Sequence, residues 1–260
     1  PAATPAPTLA PVVVYGNKRY PYVASLRDPA TPHRHICTGA LIAPAVILTA
    51  ASCVDDHRNS GAVHEPLVVM GGWECGDGCN VEDRLFAREE AANTVMTVIH
   101  PLWRGSATDG GDLAVLILDR PMAKPVLQVK PQPELFDFQL LTFVGWQMDA
   151  SARIPDELQV LRLPYRSNAN CQRLYLSVDA REDLIMADMM CAGGLGEGTC
   201  QGGTGGPLIV PGDTYQEDVS VGVLSFGGRD CFNSALPSVF TRLAEYEADL
   251  ASILPSQTTP

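Results

Sequence analysis

Short apolar runs interrupted by turn residues constrain the fold of this chain more than any other feature. The runs are rich in aliphatic and β-branched residues, and Gly, Pro or Asp separates them at short intervals. They read "ICTGALIA", "AVILTAA", "PLVVMGG", "VMTVIH", "DLAVLIL", "LLTFVGW", "LQVLRL", "PLIV", "VGVLSF" and "SVFTRL". Many short strands with frequent turns are typical of an all-β sandwich or barrel. A length of 260 residues is compatible with one large β domain or with two small ones.

Other patterns mark the ends and the middle of the chain. Residues 1–11, "PAATPAPTLAP", form a Pro/Ala-rich tail without apolar periodicity, and residues 255–260 form a second tail. Residues 118–134 contain four prolines and are a candidate connection between two halves. Before the second tail, a three-four spacing of apolar residues predicts one helix that packs back on the β domain. Its apolar stripe consists of Leu243, Leu250, Ile253 and Leu254.

The charge balance restricts the class of partner. The chain has 18 basic and 30 acidic residues and a net charge of −12, which disfavours nucleic acid, anionic membranes and heparin-like polyanions as partners. The longest apolar stretch, Leu41–Ala51, is too short to span a membrane and contains Pro44. Because the chain begins at Pro1 and not at Met, we expect a processed form whose targeting segment has been removed.

The cysteine content predicts an oxidising compartment. Eight cysteines, an even number, suggest disulfide bonds in a secreted protein. Zinc is the alternative, since Cys75 and Cys79 form a C-x3-C pair. No second close cysteine pair or histidine pair follows them, so we expect no metal and no organic cofactor.

One glycine-rich stretch, "QGGTGGPL" (Gln201–Leu208), is built to present a hydroxyl. Four glycines flank Thr204, and glycine lets a backbone take positive φ and lets another chain approach closely. A hydroxyl is a poor nucleophile unless a base accepts its proton. The function therefore depends on whether the chain supplies such a base.

Three motifs resemble those of the trypsin-like serine proteases, in the order of their catalytic His, Asp and Ser. They are "LTAASC" (Leu48–Cys53), "DLAVLIL" (Asp112–Leu118) and "QGGTGGPL". Smaller matches lie before, between and after them: "YPYVASL", "VIHP", "VGW", "MMCAG", "VGVLSFG" and "VFTRL". The resemblance covers about residues 13–254.

The resemblance implies an all-β fold of two six-stranded antiparallel β-barrels with a C-terminal α-helix and an active site in the cleft between the barrels. The domain would span residues 12–254. The family pattern also implies three disulfide bonds, and the two remaining cysteines would pair in a loop. The expected pairs are Cys37–Cys53, Cys171–Cys191, Cys200–Cys231 and Cys75–Cys79.

The catalytic positions depart from the family pattern. In the family a histidine accepts the proton of the nucleophilic serine, and an aspartate orients that histidine. Here the histidine position is Ser52 and the nucleophile position is Thr204, while Asp112 is retained. Serine does not titrate near neutral pH, and loss of a triad base in a related mechanism costs about 10⁶ in turnover. The β-methyl of Thr204 also crowds the path of attack. We therefore expect a degenerate triad and no enzyme activity.

No other histidine is expected to replace the missing base. His57 lies in "VDDHRN", which is typical of a solvated loop, and the other histidines are expected to be structural or on the surface. These are His33, His35, His64 and His100.

The activation switch is also absent from the sequence. The family pairs a new α-amino group with an aspartate before the nucleophile, and that position is Gly203 here. No Arg or Lys precedes Val12, Val13 or Val14, so a trypsin-type cleavage point is missing. The oxyanion-like donors, the N–H groups of Gly202 and Thr204, are retained.

The specificity pocket implied by the resemblance is altered as well. Its base would be Gly198, and its walls Ser225, Phe226 and Gly227. Ser238 occupies a usual glycine position and is expected to narrow the pocket.

These departures favour a secreted, non-catalytic homologue that acts as a binding or scaffold module for another, unidentified protein. The expected binding surfaces are the loops Val54–Glu65 and Pro211–Asp218 and the loop that holds Cys75 and Cys79. Two alternatives stay open: a structural subunit of an extracellular or surface assembly, and a weak hydrolase that uses Thr204. For Thr204 itself the simplest interpretation is that the disulfide at Cys200 and the barrel packing require the backbone path of the turn.

Overall fold

The computed structural model describes residues 12–13, 19–58, 61–71, 88–129, 133–148, 154, 158–177, 184–194, 198–199, 202–227 and 236–253. Within these residues the chain forms thirteen β-strands and two short α-helices. Both expected tails, residues 1–11 and 255–260, lie outside the described residues. No helix in the described part of the chain combines the length and apolarity needed to cross a bilayer.

The first half of the chain forms a closed barrel of six antiparallel strands in the order β2-β3-β4-β7-β6-β5. Its strands are β2 (Val23–Asp28), β3 (Thr31–Ala43), β4 (Val46–Thr49), β5 (Leu67–Met70), β6 (Glu90–Ile99) and β7 (Ala114–Leu118). Strand β4 is buried along its whole length, and β3 is buried only in its second half. Its first half is a β-hairpin arm that continues from β2 beyond the barrel wall.

The second half forms a second closed barrel. Its strands are β8 (Leu140–Gly145), β9 (Gln159–Arg166), β10 (Met189–Ala192), β11 (Pro207–Val210), β12 (Val219–Phe226) and β13 (Ser238–Arg242). Strand β8 pairs with both β9 and β11, which closes six strands, and β1 (Val12–Val13) is added at the end of β9. Helix α1 (Asn168–Leu176) follows β9.

Each barrel has its own apolar core, and a third cluster joins them. This joining cluster contains Tyr22 and Ala40 from the first half and Val144 and Ile209 from the second. Because its members come from both barrels, burial of apolar area fixes one barrel against the other. The cleft described below therefore lies between two mutually packed walls.

The chain ends in a 3-10 turn, Leu243–Tyr246, followed by helix α2 (Glu247–Ile253). Leu243 and Leu250 pack on the first-barrel core, as the apolar spacing predicts, whereas Ile253 is exposed to 36%. The predicted contact of Leu254 lies outside the described residues. The predicted architecture, two six-stranded antiparallel barrels with a C-terminal helix, is confirmed.

Candidate functional site

A cleft of about 920 Å³ lies between the barrels, and its lining includes Ser52 and Thr204. Both barrels contribute to its walls. The lining residues of the first half are Ser25, Arg27, His33, Arg34, His35, Ile36, Cys37, Ser52, Cys53, Gly61 and Ala107. Those of the second half are Trp146, Met148, Ile154, Gly202, Thr204 and Ser225.

Ser52 and Asp112 meet because of the register between β4 and β7. Thr49 at the end of β4 pairs with Ala114 at the start of β7, so the residues beyond both strand ends are neighbours. The backbone N–H of Ser52 donates to Asp112 Oδ1 at 2.7 Å, and its hydroxyl donates to Asp112 Oδ2 at 3.0 Å. Both protons of Ser52 are thus directed at the same carboxylate.

Asp112 receives a further hydrogen bond from the second barrel. The hydroxyl of Ser225 donates to Asp112 Oδ2 at 2.5 Å, and the hydroxyl of Thr241 donates to the main-chain oxygen of Asp112 at 2.7 Å. The sequence analysis assigned Ser225 only to a pocket wall. It lines the cleft, and its hydroxyl also ties the two barrels together through the carboxylate.

The carboxyl of Asp112 is buried without a cationic partner among the described residues. Burial raises its pKa to about 6, and the hydrogen bonds from Ser225 and Ser52 oppose this increase. Neutral donors stabilise the charged form less than a cation does, so desolvation dominates.

Within the 202–206 turn, contact with the first barrel explains the glycine at position 205. Gly202 and Gly205 have φ angles of +93° and +82°. A Cβ on Gly205 would lie 2.2 Å from the carbonyl oxygen of Thr38 and from Thr49 Oγ1. The N–H of Thr38 donates to the Thr204 carbonyl at 2.9 Å, which fastens the turn to β3. The barrel packing therefore requires this backbone path, as the simplest interpretation predicts, while Cys200 lies outside the described residues.

The Thr204 side chain faces the cleft. Among the described residues, none forms a hydrogen bond with its hydroxyl. The turn thus presents a half-buried alcohol to the cleft, and no described residue accepts its proton in a hydrogen bond.

The imidazole of His35 is hydrogen-bonded to this turn. From the sequence, His35 was expected to be structural or on the surface and not part of the cleft. Its Nε2 lies 2.9 Å from the Gly202 carbonyl oxygen, and its Nδ1 lies 2.8 Å from the Ser25 hydroxyl. A carbonyl oxygen only accepts, so Nε2 carries the proton and Nδ1 accepts from Ser25. Burial lowers the pKa of His35 to about 4, with a smaller contribution from the charge of Arg27. The sequence offered no signal for this contact, which joins residues 167 positions apart.

The other histidines show different environments. His57 points to solvent, with 89% of its side chain exposed, as predicted for a loop residue. His100 bonds to Asp249 at 3.2 Å and packs edge-on against Tyr246. His33 is an exposed surface residue, and it lines the cleft.

Three residues of the predicted specificity pocket, Gly198, Gly227 and Ser238, lie next to Thr199. The N–H and hydroxyl of Thr199 donate to the Ser238 hydroxyl at 2.9 and 2.8 Å, and Gly198 is buried beside Thr199. A Cβ on Gly227 would lie 2.8 Å from the Thr199 carbonyl oxygen, and Phe226 packs on Tyr175. The narrowing of a pocket by Ser238 stays a prediction.

Two of the expected disulfide bonds lie in described residues, and both are present. They are Cys37–Cys53, which fixes the end of β4 to β3, and Cys171–Cys191, which fixes α1 to β10. Cys75, Cys79, Cys200 and Cys231 lie outside the described residues. Within the described part of the chain, no three His, Cys, Asp or Glu side chains form a group that could hold a metal ion.

Comparison with known proteins agrees with this architecture. A family model described as Trypsin matches residues 13–248. The chain is 30% identical over 252 residues to Serine protease 28 of Mus musculus, a match that covers 90% of this chain and 86% of that protein. It is also 30% identical over 245 residues to a Tryptase of Mus musculus, covering 89% of this chain and 83% of the relative. The chain therefore belongs to the trypsin family of serine proteases.

Proposed function

We propose that this chain is a secreted serine protease homologue without peptidase activity, which acts as a binding module for another protein. The observation that carries the proposal is the contact between Ser52 and Asp112. At the position where a triad needs a proton acceptor, both the N–H and the hydroxyl are donors to Asp112. A hydroxyl does not take up a proton near neutral pH, so Thr204 has no base at this position.

The arrangement of His35 supports the proposal. The ring nitrogen of His35 that carries no proton, Nδ1, already accepts a hydrogen bond from the Ser25 hydroxyl. The other nitrogen donates its Nε2–H to the Gly202 carbonyl oxygen. A pKa of about 4 also makes the imidazole a weak base near neutral pH. His35 therefore positions the 202–206 turn and does not activate Thr204.

A binding role follows from the rigidity of the barrels and the variety of their loops. Of the candidate loops, Pro211–Asp218 is well ordered by hydrogen bonds. Glu217 Oε2 accepts from the N–H of Asp213 at 2.8 Å, and Asp218 Oδ1 accepts from the N–H of Gly212 at 2.9 Å. The loop that contains Cys75 and Cys79 lies outside the described residues. The two disulfides are in keeping with an extracellular location.

The test is labelling with a fluorophosphonate probe, together with a panel of peptide substrates. We expect no labelling and no turnover under conditions in which an active trypsin reacts completely. Labelling at Thr204, or turnover that the same probe inhibits, would contradict the proposal.

Repair variants make the test sharper. The variant Ser52→His/Gly203→Asp/Thr204→Ser restores base, aspartate and nucleophile, and we expect it to react weakly with the probe. The matched control is Thr204→Ser alone, which should not react because its serine still lacks a base. Equal labelling of the control and the triple variant would show that a base already exists in the cleft, and the proposal would be wrong.

A further inference from the structure

The cleft between the barrels carries positive charge, although the net charge of the chain is −12. Its lining includes two arginines, Arg27 and Arg34. None of the aspartates and glutamates that the structure describes is among its lining residues. The cleft is therefore a local exception on an acidic protein, and charge complementarity selects what binds there.

Arg27 is held in place and still has hydrogen-bonding capacity. It is half-buried on β2, and its Nε donates to the Ser25 hydroxyl at 3.3 Å. The same hydroxyl bonds to His35, so one network orients the guanidinium. The two terminal nitrogens of Arg27 form no hydrogen bond or ion pair with the described residues. A guanidinium fixed at Nε presents these two nitrogens as a fork that matches a carboxylate.

Among the described residues, the one ion-pair partner of Arg34 is distant. Its Nη1 lies 3.7 Å from Asp28 Oδ2, and 62% of its side chain is exposed. Asp28 also accepts from the N–H of Ala30 at 2.9 Å and from the hydroxyl of Thr31 at 3.1 Å. The carboxylate of Asp28 thus mainly stabilises the turn of the β2–β3 hairpin. An exposed pair of this length contributes little, so Arg34 can exchange it for a ligand carboxylate.

Apolar side chains line the same cleft. They are Ile36, Trp146, Met148 and Ile154. A surface that combines cationic and apolar groups fits an extended peptide that carries both acidic and apolar side chains. A sulfated polysaccharide would use the charge but not the apolar groups.

We propose that this cleft binds an extended acidic segment of a partner protein, with its carboxylates on Arg27 and Arg34. This inference rests on the proposed function, since an inactive cleft can hold such a segment without cleaving it. The charge of the cleft identifies the chemistry of the partner, and the apolar lining adds side-chain contacts that a simple polyanion lacks.

The test uses the full chain and a fluorescein-labelled peptide of alternating Glu and Phe, with fluorescence anisotropy as the measurement. The reference is the same peptide with Gln in place of Glu. We expect the acidic peptide to bind at least about tenfold more tightly than the Gln peptide. The preference should weaken when ionic strength rises from about 0.05 M to about 0.5 M, since salt screens exposed charges.

Variants assign the binding to the cleft. Arg27→Gln/Arg34→Gln should weaken binding of the acidic peptide about tenfold or more. Arg120→Gln is the matched control, because Arg120 is an exposed arginine outside the cleft with 53% of its side chain accessible. Arg34→Glu should lower affinity for the acidic peptide and raise it for a Lys/Phe peptide, a reversal that loss of folding cannot produce.

The outcomes separate this inference from the proposed function. Equal binding of the Glu and Gln peptides, or equal effects of the double variant and Arg120→Gln, would overturn the inference. A further contrary result is a heparin oligosaccharide that binds more tightly than the acidic peptide and loses that binding in the double variant. This result would overturn the inference, because the ligand of the cleft would then be a polyanion and not a peptide. Mass spectrometry of the recovered peptide tests the other proposal: cleavage would contradict inactivity and leave the assigned charge preference intact.

Discussion

Asp112 and Asp218 are two fully buried carboxylates in the same chain, with exposures of 1% and 0%, but their partners differ. Asp218 is bound by the guanidinium of Arg19 through both of its oxygens. It also accepts from the Tyr22 hydroxyl at 2.6 Å. Asp112 is bound by hydroxyl and backbone N–H groups alone among the described residues.

The difference separates a carboxylate that is paired with a cation from one that is held by neutral donors among the described residues. Arg19 brings a permanent positive charge to Asp218, and hydrogen bonding to Asp218 in turn raises the pKa of Arg19. At Asp112 the neighbouring donor is Ser52, which brings no charge. The barrel frame therefore keeps a buried carboxyl whose pKa rises to about 6 because of burial. Such a group lowers the free energy of unfolding at neutral pH. The pair of Arg19 and Asp218, in contrast, connects the chain before β2 to the second barrel.

The largest expected effect is the loss of the charged pair. Asp218→Ala leaves the buried Tyr22 hydroxyl and the partly buried Gly212 N–H without their acceptor and removes the counter-ion of Arg19. We expect the free energy of unfolding to fall by about 4 kcal/mol, measured by chemical denaturation. Asp213→Ala in the same loop is the control, since Asp213 is exposed, and it should cost less than about 0.5 kcal/mol. Similar losses of stability in Asp218→Ala and Asp213→Ala would show that the pair of Asp218 with Arg19 does not stabilise the fold.

The second effect is a pH dependence that belongs to Asp112. Its pKa is raised from 3.8 to about 6 in the folded chain, so between these values the folded state binds more protons than the unfolded state. Stability from this group is fully present below pH 3.8 and is lost as the pH rises through about 6. Relative to Asp112→Asn, the wild type should lose about 2 to 3 kcal/mol between pH 4 and pH 7. Parallel stability curves for the two proteins would show that Asp112 titrates normally.

The third effect tests the hydroxyl that joins the barrels. Ser225 is buried and donates to Asp112 Oδ2 at 2.5 Å, so Ser225→Ala removes a bond to a charged acceptor at neutral pH. We expect a loss of about 2 kcal/mol at pH 8. The loss should be smaller below pH 4, where Asp112 is protonated in both proteins. An equal loss at both pH values would assign the effect to packing and not to the carboxylate.

The sequence predicts the architecture because strands and turns leave local patterns. The short apolar runs mark most of the strands, and the three-four spacing that includes Leu243 and Leu250 predicts the C-terminal helix. The candidate positions Ser52, Asp112 and Thr204 come from three short motifs, but the hydrogen bonds between Ser52 and Asp112 were not predicted. Each of these signals is contained in a short stretch of chain.

Contacts between distant residues left no such signal. The bond of His35 to Gly202 and the pair of Arg19 with Asp218 join residues 167 and 199 positions apart. Their formation depends on how the two barrels pack, which neither composition nor periodicity specifies. The hydrogen bond from Ser225 to Asp112 was missed for the same reason, since assignment to a pocket wall does not specify where the hydroxyl points.

The smallest expected effect is that of Ser52→Ala. The backbone N–H of residue 52 keeps its bond to Asp112 Oδ1, and only the hydroxyl bond of 3.0 Å is lost. Ser52 is half-buried in the cleft wall, where water can replace the hydroxyl, so we expect a cost of about 0.5 kcal/mol and a fall in Tm of about 1 to 2 °C. Calorimetry of this variant beside Ser225→Ala decides which hydroxyl supports the carboxylate. If the two losses are equal, Asp112 depends on the cleft as much as on the barrel interface, and an incoming ligand that displaces Ser52 would then destabilise the fold.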